Sequence, residues 1–154
     1  MTGQVITVGV DGSRSSADAL RFAIDEARLR GATVRAVTSW QLDTVYAGYG
    51  GVLLPEESAA HEKAATELQD RAIQVMLGET REASLIERRV VRGDPGHVLV
   101  QLSRDAAMLV VGTEHKGLVK RAAVGSVSAY CTRFSKVAVA VVPFVDQELH
   151  GLAD

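Results

Sequence analysis

The chain of 154 residues predicts an α/β fold: one doubly wound sheet of five parallel strands with helices on both faces. Three observations carry that expectation. Short runs rich in β-branched residues alternate with longer segments of helical periodicity, in the order β-α-β-α-β-α-β-α-β. The first, fourth and fifth runs are apolar almost throughout, as strands covered on both faces must be. The connections are about 20 residues long, enough for the right-handed crossovers that parallel strands need. In such a sheet the ligand site lies beyond the carboxyl ends of the strands, at a switch in strand order.

The elements follow in chain order. Val5-Ile6-Thr7-Val8-Gly9-Val10 reads as a buried strand, ended by Asp11-Gly12-Ser13. Ser13, Ser15 or Ser16 caps the helix after it. There Leu20, Ala23, Ile24 and Ala27 form one apolar stripe, and Arg28, Arg30 and Gly31 mark the end. Thr33 to Trp40 is the second strand. Gln41 to Pro55 is a long loop with Gly48, Gly50 and Gly51, expected to serve as a lid. Glu56 to Leu77 is a long helix with Ala65, Leu68, Ala72, Val75 and Met76 on its apolar face. Leu85 to Arg92 is the third strand, and Glu87, Arg88, Arg89 and Arg92 place it at a sheet edge. Gly93-Asp94-Pro95-Gly96 makes a turn into a short helix carrying Val98, Leu99 and Leu102, with His97 on the surface. Met108 to Val111 is the fourth strand. The last helix starts near Ser126 and turns Val127, Tyr130 and Phe134 inward. Val137 to Val142 is the fifth strand, and the residues after Pro143 read as a tail. One domain is expected over 1–154, with its core at about 4–143 and the tail at 144–154.

Composition narrows the function classes. A net charge of −2 argues against a dedicated nucleic-acid binder. The single cysteine, Cys131, suits a reducing compartment, and no signal peptide or membrane-length apolar run is read, so a cytoplasmic protein is expected. The histidines at 61, 97, 115 and 150 have no zinc-like spacing, and no metal site is expected from side chains.

The stretch around Gly112 carries the chemistry. Met108-Leu109-Val110-Val111 ends in Gly112-Thr113-Glu114-His115-Lys116-Gly117, and Gly125-Ser126 then opens a helix. A strand feeding a glycine loop at a helix start suits phosphate, because backbone N–H groups and the helix dipole face the anion. The plainer reading is that both glycines make turns. Asp11 ends the first strand as Gly112 ends the fourth, so neighbouring strands would bring both to one crevice. No Gly-Lys-[Ser/Thr] follows, so this is not a P-loop NTPase.

These residues resemble the universal stress protein family. Val8-Gly9-Val10-Asp11-Gly12-Ser13 is similar to its N-terminal signature. Gly112 with Gly125-Ser126-Val127-Ser128 resembles its nucleotide motif, G-x-x-G-x9-G-[ST], and Gly93-Asp94-Pro95 its turn after strand three. The resemblance spans about residues 4–143. It implies strand order 3-2-1-4-5, a Rossmann-like sheet of the adenine nucleotide alpha hydrolase-like kind, and homodimers joined through strand five, Val137–Val142. The family holds an ATP-binding class and a class that binds no nucleotide. In the first, the resemblance implies, Asp11 contacts the adenosine and backbone at Gly9, Val10 and Ser39 borders the base. Val111, Gly112, the loop residues Glu114, His115 and Gly117, and Gly125, Ser126 and Val127 hold ribose and phosphates. The cofactor implied is ATP, with Mg2+ through its phosphates, and AMP or ADP as alternatives. The chain departs from the motif at His115, which stands where the second glycine belongs and whose Cβ crowds backbone contact with phosphate. The leading reading is a nucleotide-binding stress sensor or adaptor. A dimeric scaffold without nucleotide comes second. A slow ATPase comes last, since no general base is placed for it.

Overall fold

The computed structural model describes residues 3–41, 55–113 and 125–144. Its strands are β1 (Val5–Gly9), β2 (Thr33–Trp40), β3 (Glu87–Arg92), β4 (Met108–Gly112) and β5 (Ala138–Val142). They form one parallel sheet in the order β3-β2-β1-β4-β5, as the resemblance implies. The helices are α1 (Arg14–Arg30), α2 (Pro55–Leu77), α3 (Arg81–Leu85), α4 (Pro95–Leu102) and α5 (Ser126–Phe134).

Strand alternation splits the core into two layers. Ile6, Val8, Ala36 and Val110 meet Leu20, Ala23 and Ile24 of α1, Ile73 of α2 and Ala83 of α3. On the opposite face Val37, Leu109 and Val111 meet Val98, Leu99 and Val100 of α4 and Cys131 of α5. Local chemistry sets the boundaries. The Ser13 hydroxyl accepts from Ser16 N–H and caps α1, and Gly31 ends that helix in the left-handed conformation, φ 62°. Asp94 caps α4 by accepting from His97 N–H, with Pro95 at the first helical position.

Four expectations need correction. The third strand starts at Glu87, because Thr80 caps the short helix α3, which takes Leu85 and leaves it exposed. The buried stripe of α2 runs through Ala65, Gln69 and Ile73, with Leu68, Ala72 and Met76 packed beside it; Val75 is 82% exposed. Val75 lies one residue before Met76, about 100° around the helix from that stripe. On α5, Ser128 and Cys131 are the buried residues, whereas Phe134 is exposed. Val127 and Tyr130 do turn inward onto the core cluster, Tyr130 against Gly96 of α4, where an added Cβ would meet its ring at 2.8 Å. The first strand stops at Gly9, one residue short of Val10. The lid expected at 41–55 and the tail expected after Pro143 lie almost entirely outside the described residues.

At the amino end of the sheet Arg35 is buried in β2. Its guanidinium donates to Asp105 at 2.6 and 3.1 Å, to Glu87 at 2.9 Å and to the Leu102 carbonyl at 2.8 Å. One side chain thus ties β2 to β3 and to the α4–β4 turn. Among the described residues no helix is long and apolar enough to cross a membrane.

Candidate functional site

β1 pairs with β4 through Ile6↔Met108, Thr7↔Leu109 and Val8↔Val110. The chain winds from β1 toward β2 and β3 on one side, and from β4 to β5 on the other. The gap beyond Gly9 and Gly112 is therefore the switch point of the sheet. A crevice of about 240 Å³ opens there.

The structure brings Gly9, Val10, Asp11, Ser39, Val111, Gly112, Gly125, Ser126 and Val127 together as its lining. Glu114, His115 and Gly117 lie outside the described residues, as does the motif loop. Sequence reasoning gave no site role to Val37, Ser15, Ser16, Pro95, Leu99 and Ser128, which also line the crevice. Val37 was findable, since it lies opposite Gly9 in the β1–β2 register. Leu99 was not, because only packing reveals that its Cδ1 would lie 3.1 Å from a Cβ on Gly9.

Two polar features line the crevice together with its apolar residues. Asp11 accepts from Ser13 N–H through Oδ1 at 2.9 Å, an Asx turn that leads the chain into α1. Its Oδ2 has no donor among the described residues and the side chain is exposed. Gly12 follows at φ 82°, a conformation that favours glycine. The second feature is the start of α5, at Gly125, which has no side-chain cap. The Ser128 hydroxyl donates back to the Gly125 carbonyl at 3.0 Å, so it does not satisfy the first-turn N–H groups. An uncapped helix start attracts an anion, and a free carboxylate oxygen attracts hydroxyl or amine donors. In the same lining Val10, Val37, Leu99 and Val111 offer apolar surface for a flat ring.

Gly112 has a structural reason of its own. A Cβ built there would lie 2.5 Å from the Ser15 carbonyl oxygen and 2.7 Å from its carbon. The first turn of α1 rests directly on the end of β4, and only a glycine allows that approach. Cys131, behind the crevice, is fully buried, and burial, helped by Asp94, pushes its thiol up to about 11. It stays a protonated core residue at neutral pH. Among the described residues no cluster of histidine, cysteine and acidic side chains fits a metal ion.

A family model described as the universal stress protein family matches residues 3–143. The chain belongs to that family. A universal stress protein of Mycolicibacterium smegmatis is 30% identical over 152 residues, covering 94% of this chain and 50% of the relative. One of Mycobacterium tuberculosis is 31% identical over 140 residues, covering 88% and 44%. The chain thus spans about half the length of the curated relatives it matches. Among solved structures, a universal stress protein in complex with cAMP is 29% identical, with a TM-score of 0.56, over 92% of this chain and 98% of that one. A universal stress protein of Archaeoglobus fulgidus in complex with dAMP shares the fold at 24% identity and a TM-score of 0.62, over 92% and 99%.

Proposed function

We propose that this chain binds an adenine nucleotide in the crevice between β1 and β4 and acts as a nucleotide-dependent sensor or adaptor. The observation that carries the reading is the pairing of opposites at the switch point: a free carboxylate oxygen on Asp11, an uncapped α5 start, and apolar residues in the same lining. That polarity matches a nucleotide, with donors on the sugar and base, a flat ring, and an anion at the far end. The cAMP bound to the 29% identical family member supports it. The adenine lies against Val10, Val37, Leu99 and Val111, Asp11 accepts from the adenosine, and the phosphate nearest the ribose meets the N–H groups of Ser126 and Val127. ATP is the ligand proposed first, with Mg2+ entering on its phosphates, and AMP or ADP next.

The test is direct. Protein purified without added nucleotide is denatured, and the released small molecules are identified. Titration calorimetry then compares wild type with Asp11→Ala. The variant should lose about tenfold in affinity, the value of a hydrogen bond to a carboxylate, with a small drop in melting temperature from the lost Asx turn. Equal affinities would remove Asp11 from the site.

A second reading has its own observation. Gly112 is required by the Ser15 carbonyl, and Asp11 by its Asx turn, whether or not a nucleotide binds. That favours a family scaffold without nucleotide, and the same titration separates the two. For either reading we propose a homodimer joined along β5, an edge strand with no charged residue. Val139→Lys should then convert a dimer to a monomer in light scattering, and a monomeric wild type at micromolar concentration would end that proposal.

A further inference from the structure

The ladder between β1 and β2 runs from Val5↔Thr33 to Gly9↔Val37 and stops. One residue on, Val10 N–H still donates to the Val37 carbonyl at 2.8 Å. In a continuing parallel ladder the Val10 carbonyl would accept from Ser39 N–H. It accepts instead from the Thr38 hydroxyl, at 2.7 Å. That hydroxyl in turn accepts from Gln69 Nε2 of α2 at 3.0 Å. The same amide nitrogen reaches the carbonyls of Ala36 at 3.1 Å and Arg89 at 3.0 Å. Three acceptors converging on one nitrogen set which end of the amide faces the sheet. Thr38 is 3% exposed and Gln69 is 1% exposed, in a layer that is otherwise apolar. A buried, satisfied polar relay of this kind is geometrically specific, because any lost partner leaves an unpaired group in low dielectric.

The relay has a consequence at the crevice. Ser39 N–H points toward β1, as the Val37 carbonyl does two residues earlier. The Val10 carbonyl it would use is instead turned onto the Thr38 hydroxyl and makes no bond to Ser39. Among the described residues it is left without a ladder partner, and Ser39 lines the crevice beside Val10 and Asp11.

We propose that Thr38 and Gln69 are positioning residues: their relay holds the Val10 carbonyl and so keeps the Ser39 N–H free as a donor to an acceptor atom on the ring of the bound ligand. This rests on the adenine-nucleotide reading above. It also ties the placement of α2 to the shape of the crevice, since Gln69 supplies the far end of the relay.

Two measurements test it on the intact chain. Amide hydrogen exchange by NMR, on nucleotide-free protein, should show Ser39 exchanging about tenfold or more faster than Val37. In Thr38→Val the Val10 carbonyl takes the Ser39 N–H, so that amide slows toward Val37, and calorimetric titration with AMP shows about tenfold weaker binding. Thr38→Ser keeps the hydroxyl and should restore both readouts, a rescue that a purely packing role does not predict. Gln69→Met should move both in the direction of Thr38→Val, by less. A Ser39 amide as protected as Val37 in wild type overturns the proposal, as does a Thr38→Val protein with wild-type exchange and affinity. A wild type that shows the exchange pattern but no affinity for AMP supports the relay and overturns the nucleotide reading instead.

Discussion

At the amino end of the strands the Arg35 guanidinium is surrounded by Asp105, Glu87 and the Leu102 carbonyl, each within 3.1 Å. At the carboxyl end Gly9, Gly112 and Gly125 meet the hydroxyls of Ser15, Ser16 and Ser126, and Asp11 is the one charged side chain among the described lining residues. One end is closed by charge-assisted hydrogen bonds, and the other is left with free backbone donors and little side-chain bulk. The contrast teaches that this sheet keeps a clamp and a cleft at opposite ends of the same strands, β2 contributing to both through Arg35 and Ser39. Stability and binding can then be perturbed separately, except where a cleft residue also carries packing.

The sharpest challenge to that separation is Gly112, which sits in the cleft yet is pressed on the Ser15 carbonyl. Gly112→Ala should cost about 3 kcal/mol, because backbone must move to admit the Cβ. Urea denaturation measures it, and a stable variant that merely loses nucleotide would show the glycine serves the ligand alone. At the clamp, Arg35→Met should cost about 2 kcal/mol, from hydrogen bonds to charged groups, and leave AMP affinity unchanged. Hydrogen bonding to Arg35 holds the Asp105 carboxyl below its ordinary range. A carboxyl lowered in the folded state stabilises above its unfolded pKa and loses that contribution as pH falls through the folded one. Wild type should therefore lose stability below about pH 4, and Arg35→Met should lose less over the same interval, by a small margin because Asp105 is exposed. Smallest is Thr7→Val in the middle of β1. The Thr7 hydroxyl is buried with no hydrogen-bond partner among the described residues. Its isosteric replacement should raise stability by about 1 kcal/mol without touching either end.

The sheet was legible because its signals are local. Asp11-Gly12-Ser13, Gly31 and Asp94-Pro95 each stop or start an element by chemistry contained in a few residues. Part of the lining was legible because parallel strands put their carboxyl ends on one side, which brings Asp11 and Gly112 to one crevice when β1 and β4 are neighbours; that adjacency, and Ser39, came from the family resemblance. The misreadings share another cause. Val75 and Phe134 are apolar and fit a helical stripe, but which stripe is buried depends on the neighbour it meets. Gln69 and Ser128 are buried because a sheet carbonyl and a helix carbonyl await them, and nothing in a hydropathy pattern announces a partner. Leu99 reached the crevice only through its packing against Gly9.

The pairing of Ile6 with Met108 has one more consequence, for the order in which the molecule comes into being. β1 and β2 are joined by a single helix and can associate as soon as both have been made. β4 arrives on the order of 100 residues after β1, and closing so long a loop delays folding. The cleft lies on this long-range seam, and α5, which lines it through Ser126 and Val127, is synthesised later still. A nascent chain halted before β4 can hold the β3-β2-β1 half of the sheet and no binding site at all. Any ligand of the crevice therefore adds its stabilisation only to chains whose slowest pairing is complete, and acts as a seal on finished molecules.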